Sequence, residues 1–324
     1  MTAFRRPLIT ALAVVALAAT TALPFQAVHA EAPLAKSQAP GWYRMKVGAF
    51  EITALSDGTV MLPVDKLLTG SKPAVIQGQL ARAYLKAPVE TSVNGYLVNT
   101  GSKLVLIDAG AAGLFGPTLG KLVGNLKAAG YTPEQVDEIY ITHMHPDHVG
   151  GLVADGQRVF PNAVVRADVH ESGFWLSPAN LEKAPADAKG FFQGAMASLN
   201  PYVAAVKLKP FDGATELLPG IRAVPAAGHT PGHTLYVAES EGSRIVFWGD
   251  LMHVAAVQFA LPGTTIQFDT DSKAAAPARI KNFADAAKQG YFVAVAHVSF
   301  PGIGRLRAGG KGYQWVPANY QSAP

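Results

Sequence analysis

Residues 139–148 read Ile139-Tyr140-Ile141-Thr142-His143-Met144-His145-Pro146-Asp147-His148, an apolar run that ends in three imidazoles and a carboxylate. A hydrophobic core has no use for four such side chains crowded together. Neutral imidazole and carboxylate are the nitrogen and oxygen donors that divalent transition metals take. His143 and His145 are two apart, so on extended backbone both project to the same side. Pro146 then turns the chain, and Asp147 with His148 offers a second set of donors, enough for two adjacent ions. Upstream, Thr132-Pro133-Glu134-Gln135 has a capping residue, proline at the first helical position and glutamine at the capping-box position. That pattern predicts a short helix ending near Asp137. The strand over 139–142 delivers the histidines at its C-terminal end, and Gly150-Gly151 lets the loop fold back.

Nine histidines are spread along the chain, and further donors stand where strands should end. His229 lies in Ala227-Gly228-His229-Thr230-Pro231-Gly232-His233-Thr234, a tight turn after a strand over Ile221 to Val224. Asp250 ends the hydrophobic run Ile245-Val246-Phe247-Trp248-Gly249-Asp250, and His297 closes Tyr291-Phe292-Val293-Ala294-Val295-Ala296. Donors at the ends of different strands can converge on one point.

This pattern resembles the metallo-β-lactamase superfamily of metal-dependent hydrolases, whose histidine–aspartate signature appears here as His143, His145, Asp147 and His148. The resemblance implies an α/β fold in four layers, an αββα sandwich, which periodicity alone does not select. It implies one divalent ion held by His143, His145 and His229, and another by Asp147, His148 and His297, with Asp250 bridging them. His233 is then an outer residue that orients the ligands. Asp108, in Leu106-Ile107-Asp108-Ala109-Gly110, either matches an acidic position under the metal loop or is an ordinary turn. Zinc is the default ion on availability, and manganese, cobalt or iron suit the same donors.

Four stretches, Gly48 to Lys66, Val93 to Leu122, Gly190 to Val203 and Val298 to Gly304, further resemble the family of methyl parathion hydrolase and its relatives that hydrolyse lactones and aryl esters. Carried over, Phe115, Trp175 and Phe191 line the substrate pocket; read without the family, all three are core residues. The organophosphate-cleaving members carry leucine at His253, arginine at Leu67, threonine at Ile266 and leucine at Phe268, with an extra serine before Gly190-Phe191. A polar His253 and a bulkier Phe268 narrow the pocket and suit a flat carbonyl. The resemblance therefore implies hydrolysis of aryl lactones and esters of the dihydrocoumarin type, with phosphotriesters as the second substrate class. It also implies Asp147, Asp250 and His253 as catalytic side chains, and a homodimer.

Two divalent ions acidify a shared water and polarise a carbonyl, so neither a serine triad nor a cysteine nucleophile is needed, and the chain has no cysteine. A thioesterase of the glyoxalase II kind would share the ligands, but no basic C-terminal cluster awaits a glutathione carboxylate. A true β-lactamase usually lacks a carboxylate like Asp250. A non-catalytic metal-binding protein is the reading from a different class, and it has no need to keep both Asp147 and Asp250.

At the N-terminus, Arg5-Arg6, an apolar run from Leu8 to Leu23 and Val28-His29-Ala30 read as a signal peptide over 1–30, cleaved after Ala30 for export to a bacterial periplasm. The run is too short for a comfortable membrane span. Residues 31–40 read as a mobile lead-in and 41–324 as one hydrolase domain. Two of the 27 basic residues and none of the 23 acidic ones lie before Glu31, so the mature chain is close to neutral. That argues against nucleic acid as a partner, and against the membrane once the signal is gone. Other strands are expected over Phe50 to Leu55, Val93 to Asn99, Lys103 to Asp108, Val164 to Ala167, Thr234 to Ala238, Arg244 to Trp248 and Phe292 to Ala296. Helices are expected over Pro117 to Ala129 and Pro277 to Lys288. Glu171 to Pro210 is either a cap with its aromatics facing substrate or a packing helix pair, and residues 58–90 are an opposite wall or a dimer contact.

Overall fold

Alternation along the strands decides the layers. A computed structural model describes Thr2 and residues 32–322; the signal-peptide reading lies outside the described residues. Ala32–Pro40 carries no regular secondary structure, and the chain from Ala39 onward forms one unit. The first sheet takes its six strands in chain order: Trp42–Val47 (β1), Phe50–Leu62 (β2), Val89–Asn99 (β3), Leu104–Ile107 (β4), Glu138–Tyr140 (β5) and Val164–Arg166 (β6). The second does the same with Thr215–Leu218 (β7), Ile221–Pro225 (β8), Thr234–Ser240 (β9), Ser243–Phe247 (β10), Phe292–Ala294 (β11), Ile303–Gly309 (β12) and Gly312–Pro317 (β13). The first sheet is antiparallel from β1 to β4 and parallel from β4 through β5 to β6, and the second is antiparallel but for the parallel pair β10 and β11.

Successive residues of a central strand serve different cores. Tyr96, Val98, Val105, Ile107 and Tyr140 face the second sheet, where they meet Ile221, Tyr236, Ile245, Phe247 and Ile303. Their neighbours Leu97, Leu106 and Ile139 face outward onto Leu122, Leu126, Phe192, Leu199 and Tyr202 of the covering helices. On the far side, Leu235, Val237, Val246 and Val293 pack with Phe283 and Ala286 of the helix Ser272–Gln289. The order is helix, sheet, sheet, helix, so the expected four-layer α/β sandwich is the observed one. Strands buried on both faces read as continuous apolar runs. This explains why Ile245 to Trp248 and Phe292 to Ala296 were recognisable without any alternation.

Several boundaries differ from expectation for identifiable reasons. The helix expected from Pro117 spans only Leu122–Ala128. The carboxylate of Asp57 accepts the N–H groups of Ala111 (2.9 Å), Gly120 (3.1 Å) and Leu122 (3.0 Å), holding the preceding loop away from helical geometry. Asp57 itself sits at an irregularity in the β2–β3 pairing, so β2 runs to Leu62 instead of stopping at Leu55. The helix expected from Pro277 begins earlier, at Ser272, because Asp271 caps it through Lys273 and Ala274. Thr132 does close a capping box, its N–H donating to Gln135 Oε1 at 2.7 Å, yet only one 3-10 turn forms, Pro133–Gln135. Strands β1 and β7 and the C-terminal hairpin β12–β13 are additional to the expected strands.

Asp57 is buried, and burial raises its pKa although its three backbone donors work the other way. Replacing it with alanine strands three N–H groups, at a cost of about 2–4 kcal/mol. We expect a correspondingly lower urea midpoint for Asp57→Ala; an unchanged midpoint would show that the loop is held by other means.

Candidate metal centre

The proposed ligands stand on loops that leave the same edge of both sheets. The loop after β5 carries His143 and His145, and the short helix Pro146–Val149 carries Asp147 and His148. His229 follows β8, Asp250 follows β10 and His297 follows β11. Gly150 and Gly151 allow a close approach: a Cβ on either would collide with the carbonyl oxygens of Ala111 and Ala109. Neither glycine has the positive φ that tight reversal would require. The pair therefore serves contact with the β4 loop, which differs from the turn expected.

Two donor sets form. His143, His145, His229 and Asp250 offer atoms all within 4.8 Å of one another, as do Asp147, His148, Asp250 and His297. Asp250 belongs to both sets through different oxygens. Its Oδ2 lies 3.5 Å from His143 Nε2 and 3.4 Å from His229 Nε2, while Oδ1 lies 3.2 Å from His148 Nε2 and 3.0 Å from His297 Nε2. Asp147 Oδ2 completes the second set at 3.5 Å from both His148 Nε2 and His297 Nε2.

The outer nitrogens show that this donor set fits a pair of cations. His229 Nδ1 is 2.9 Å from Asp269 Oδ1, His148 Nδ1 is 2.8 Å from Asp108 Oδ2, and His297 Nδ1 is 2.9 Å from the carbonyl of Ser92. The Thr142 hydroxyl donates to Asp108 Oδ2 at 2.7 Å, so at 3.1 Å it accepts from His143 Nδ1. In its neutral form each of these four rings spends its N–H outward and turns a bare Nε2 inward. His229 Nε2 then faces His143 Nε2 at 3.3 Å and His145 Nδ1 at 3.1 Å. Lone pairs this close repel unless a positive charge lies between them.

Electrostatics agree. Burial drives His143 and His145 well below the usual imidazole range, which keeps their lone pairs available. Burial opposes charge on His148 too, but Asp250, Asp147 and Asp108 carry it well above that range. His229, likewise buried, is raised to about 9 by Asp250 and Asp269. The cluster attracts cations strongly. Asp250 is held well below the carboxylate range by the surrounding imidazoles, among which His297 acts most, against its burial.

The remaining candidates divide. Phe115, Phe191, Phe268 and His253 line the cavity above Asp147, Asp250 and His297, together with Val60, Leu62, Val93 and Leu119. Trp175, Leu67 and Ile266 are not among its lining residues. Trp175 is buried behind the site, its ring 5.1 Å from that of His145. Leu67 and Ile266 pack in a side core with Val64, Leu68, Ile76 and Val257. In the segment from Glu171 to Pro210, Phe191 faces the cavity while Phe192, Leu199 and Tyr202 fill the outer core. Residues 58–90 supply a cavity wall through Val60 and Leu62. His253 Nε2 lies 3.0 Å from Asp250 Oδ2, and its ring stacks on His297 at 5.4 Å and 17°. His233 Nε2 accepts the N–H of Asp250 at 3.1 Å, the orienting part expected of it. Asp108 lies under the metal loop, where it also accepts Thr142 N–H at 2.8 Å.

Two carboxylates that hold the ligand loops, Glu171 and Asp269, carry no mark in the sequence. Asp269 adjoins Phe268, and Glu171 adjoins His170; neither sits in a motif or at a strand end that would have marked it.

Residues 88–283 match the sequence model of the metallo-beta-lactamase superfamily, and the chain belongs to that superfamily. Its buried His/Asp centre is that of a metal-dependent hydrolase. A crystal structure of AbOPH, a hydrolase in the beta-lactamase superfamily, is 40% identical with a TM-score of 0.84, covering 88% of this chain and 100% of that one. AidC, a dizinc quorum-quenching lactonase solved in complex with a product, is 26% identical with a TM-score of 0.80, covering 87% and 99%. An N-acyl homoserine lactonase from Bacillus sp is 27% identical over 167 residues, 46% of this chain and 58% of its own length. YobT of Bacillus subtilis (strain 168) is 27% identical over 160 residues, and the chain spans 62% of its length.

Because Asp250 reaches both donor sets, Asp250→Ala should lower bound metal from two ions per chain toward one or none, read by elemental analysis. Two ions retained at full affinity would remove Asp250 from the bridge. Chelation of the wild-type protein should lower its thermal midpoint, since an ion bound only by the folded state stabilises it by mass action.

Proposed function

We propose that this protein hydrolyses neutral, apolar lactones and esters, with aryl lactones of the dihydrocoumarin type as the favoured class. The cavity over the centre carries the reading. Apart from the metal-ligand set, its lining is Val60, Leu62, Val93, Phe115, Leu119, Phe191, Phe268 and His253, with no lysine, arginine or serine. Such walls give no partner to a substrate carboxylate or phosphate, and they favour a ring bound by area, worth about 25 cal/mol per Å² before ordering costs. Lactonase activity in similar proteins supports the same class.

Bound to His143, His145 and His229 on one side and to Asp147, His148 and His297 on the other, two divalent ions would supply Lewis acidity and an acidified water. The chain's own part is orientation. Asp250 fixes the spacing of the two halves through its two oxygens. Phe115, Phe191 and Phe268 exclude bulk water and hold the substrate ring against the centre. His253 is the one cavity side chain beyond the ligand set that can hydrogen-bond a bound acyl or leaving-group oxygen, and its Nδ1 has no partner among the described residues. A phenolate leaves with little protonation, which suits a wall with so few donors.

Phosphotriesters are the second reading, since the same centre and apolar walls admit a neutral phosphorus ester. We expect kcat/KM on one zinc-loaded preparation to favour dihydrocoumarin over methyl parathion. A preference for methyl parathion would overturn the substrate class and leave the centre standing. His253→Leu should move the ratio toward methyl parathion by about tenfold, roughly 1.4 kcal/mol of differential transition-state binding; an unmoved ratio would make His253 a packing residue. No turnover of any lactone, ester or phosphotriester by protein holding two ions would favour a non-catalytic metal-binding protein.

A further inference from the structure

The two halves of the centre are braced from different directions. Glu171, on the helix Val169–Trp175, is fully buried. Its Oε1 accepts the N–H of Met144 at 2.8 Å, between His143 and His145, and its Oε2 accepts the N–H of Gly232 at 2.8 Å, three residues past His229. One carboxylate thus ties together the two loops that supply three imidazoles. Gly232 is fitted to it, since a Cβ there would collide with the backbone of Glu171. One turn further along the same helix, Trp175 packs edge-on against His145.

Asp269 acts on the same half from the opposite side. Its side chain is inaccessible to solvent; Oδ1 holds His229 Nδ1 at 2.9 Å and Oδ2 accepts the N–H of Ile266 at 3.1 Å. The N–H groups of Thr270 and Asp271 donate to the carbonyls of His229 and Gly228, at 2.8 and 2.9 Å. The other half has its own supports: Asp108 on His148 and the Ser92 carbonyl on His297. Neither Glu171 nor Asp269 has a hydrogen bond to Asp147, His148 or His297.

We propose that Glu171 and Asp269 are positioning residues for the His143–His145–His229 half of the centre alone, so that this metal position can be weakened without the other. The inference rests on the dinuclear reading above. Glutamine at 171 keeps one acceptor and turns an NH2 toward a backbone N–H, which loosens one of the two loops. Asparagine at 269 removes the negative charge that makes His229 a better donor and sets an NH2 against either His229 or Ile266.

The test titrates cobalt(II) into chelator-treated wild type, Glu171→Gln, Asp269→Asn and Asp108→Asn, following visible absorption and competition with a chromophoric chelator. Wild type should bind two ions. Glu171→Gln and Asp269→Asn should each weaken one ion about 10–100-fold, the range for loss of an outer partner of a metal ligand, and both should lose the same spectral component. Asp108→Asn, whose carboxylate meets His148 directly and His143 through Thr142, should weaken both components. Circular dichroism and thermal midpoints identify any variant that fails to fold, and the two independent substitutions guard against one failing. Equal weakening of both ions in folded Glu171→Gln and Asp269→Asn, or no weakening, overturns the inference. A wild type that binds fewer than two ions overturns the dinuclear reading beneath it.

Discussion

Asp250 is the interaction on which the rest depends. A single buried carboxylate turns one oxygen toward His143 and His229 and the other toward His148 and His297. Taking that charge out of water is costly unless positive charge surrounds it. The molecule surrounds it with buried imidazoles, of which His297 and then His148 act most on its charge. The two sheets, joined through their shared apolar core, bring these partners to one edge.

The anchoring of those imidazoles reaches far into the fold. Asp108 sits at the end of β4 in a left-handed conformation (φ 57°), from which its carboxylate meets Thr142 and His148 at once. Asn94 in β3 donates to the carbonyls of Val295 and Val298, bracketing His297 from the opposite sheet. Strain and buried polarity concentrate where the fold must place donors, as expected when local preference gives way to a site.

How much was legible follows from where the information lies. Ligands cluster at strand ends, and strands buried on both faces are continuous apolar runs, so both features survive in one dimension. His143, His145, Asp147 and His148 are neighbours in sequence, while His229, Asp250 and His297 each follow such a run. The cavity wall was harder. Phe115, Phe191 and Phe268 face the centre, but Trp175, also aromatic, lies behind it. Which face an aromatic presents depends on helix orientation, and hydrophobicity does not encode that. Glu171 and Asp269 were invisible for a related reason: a buried carboxylate looks like any surface acid until its partners, far away in sequence, are brought to it. The helix starts at Leu122 and Ser272 failed through caps, one a long-range carboxylate and the other a local aspartate competing with a conspicuous proline.

The chain order of the two sheets has a consequence for synthesis. Every strand of the first sheet lies before residue 167 and every strand of the second after residue 214. The first sheet can therefore assemble with its own half-complement of imidazoles while the second is still being made. His297 is the last of these donors to emerge, ahead of β12 and β13. A product that stopped before residue 215 would hold His143, His145 and His148 on a finished sheet whose apolar inner face had nothing to cover it.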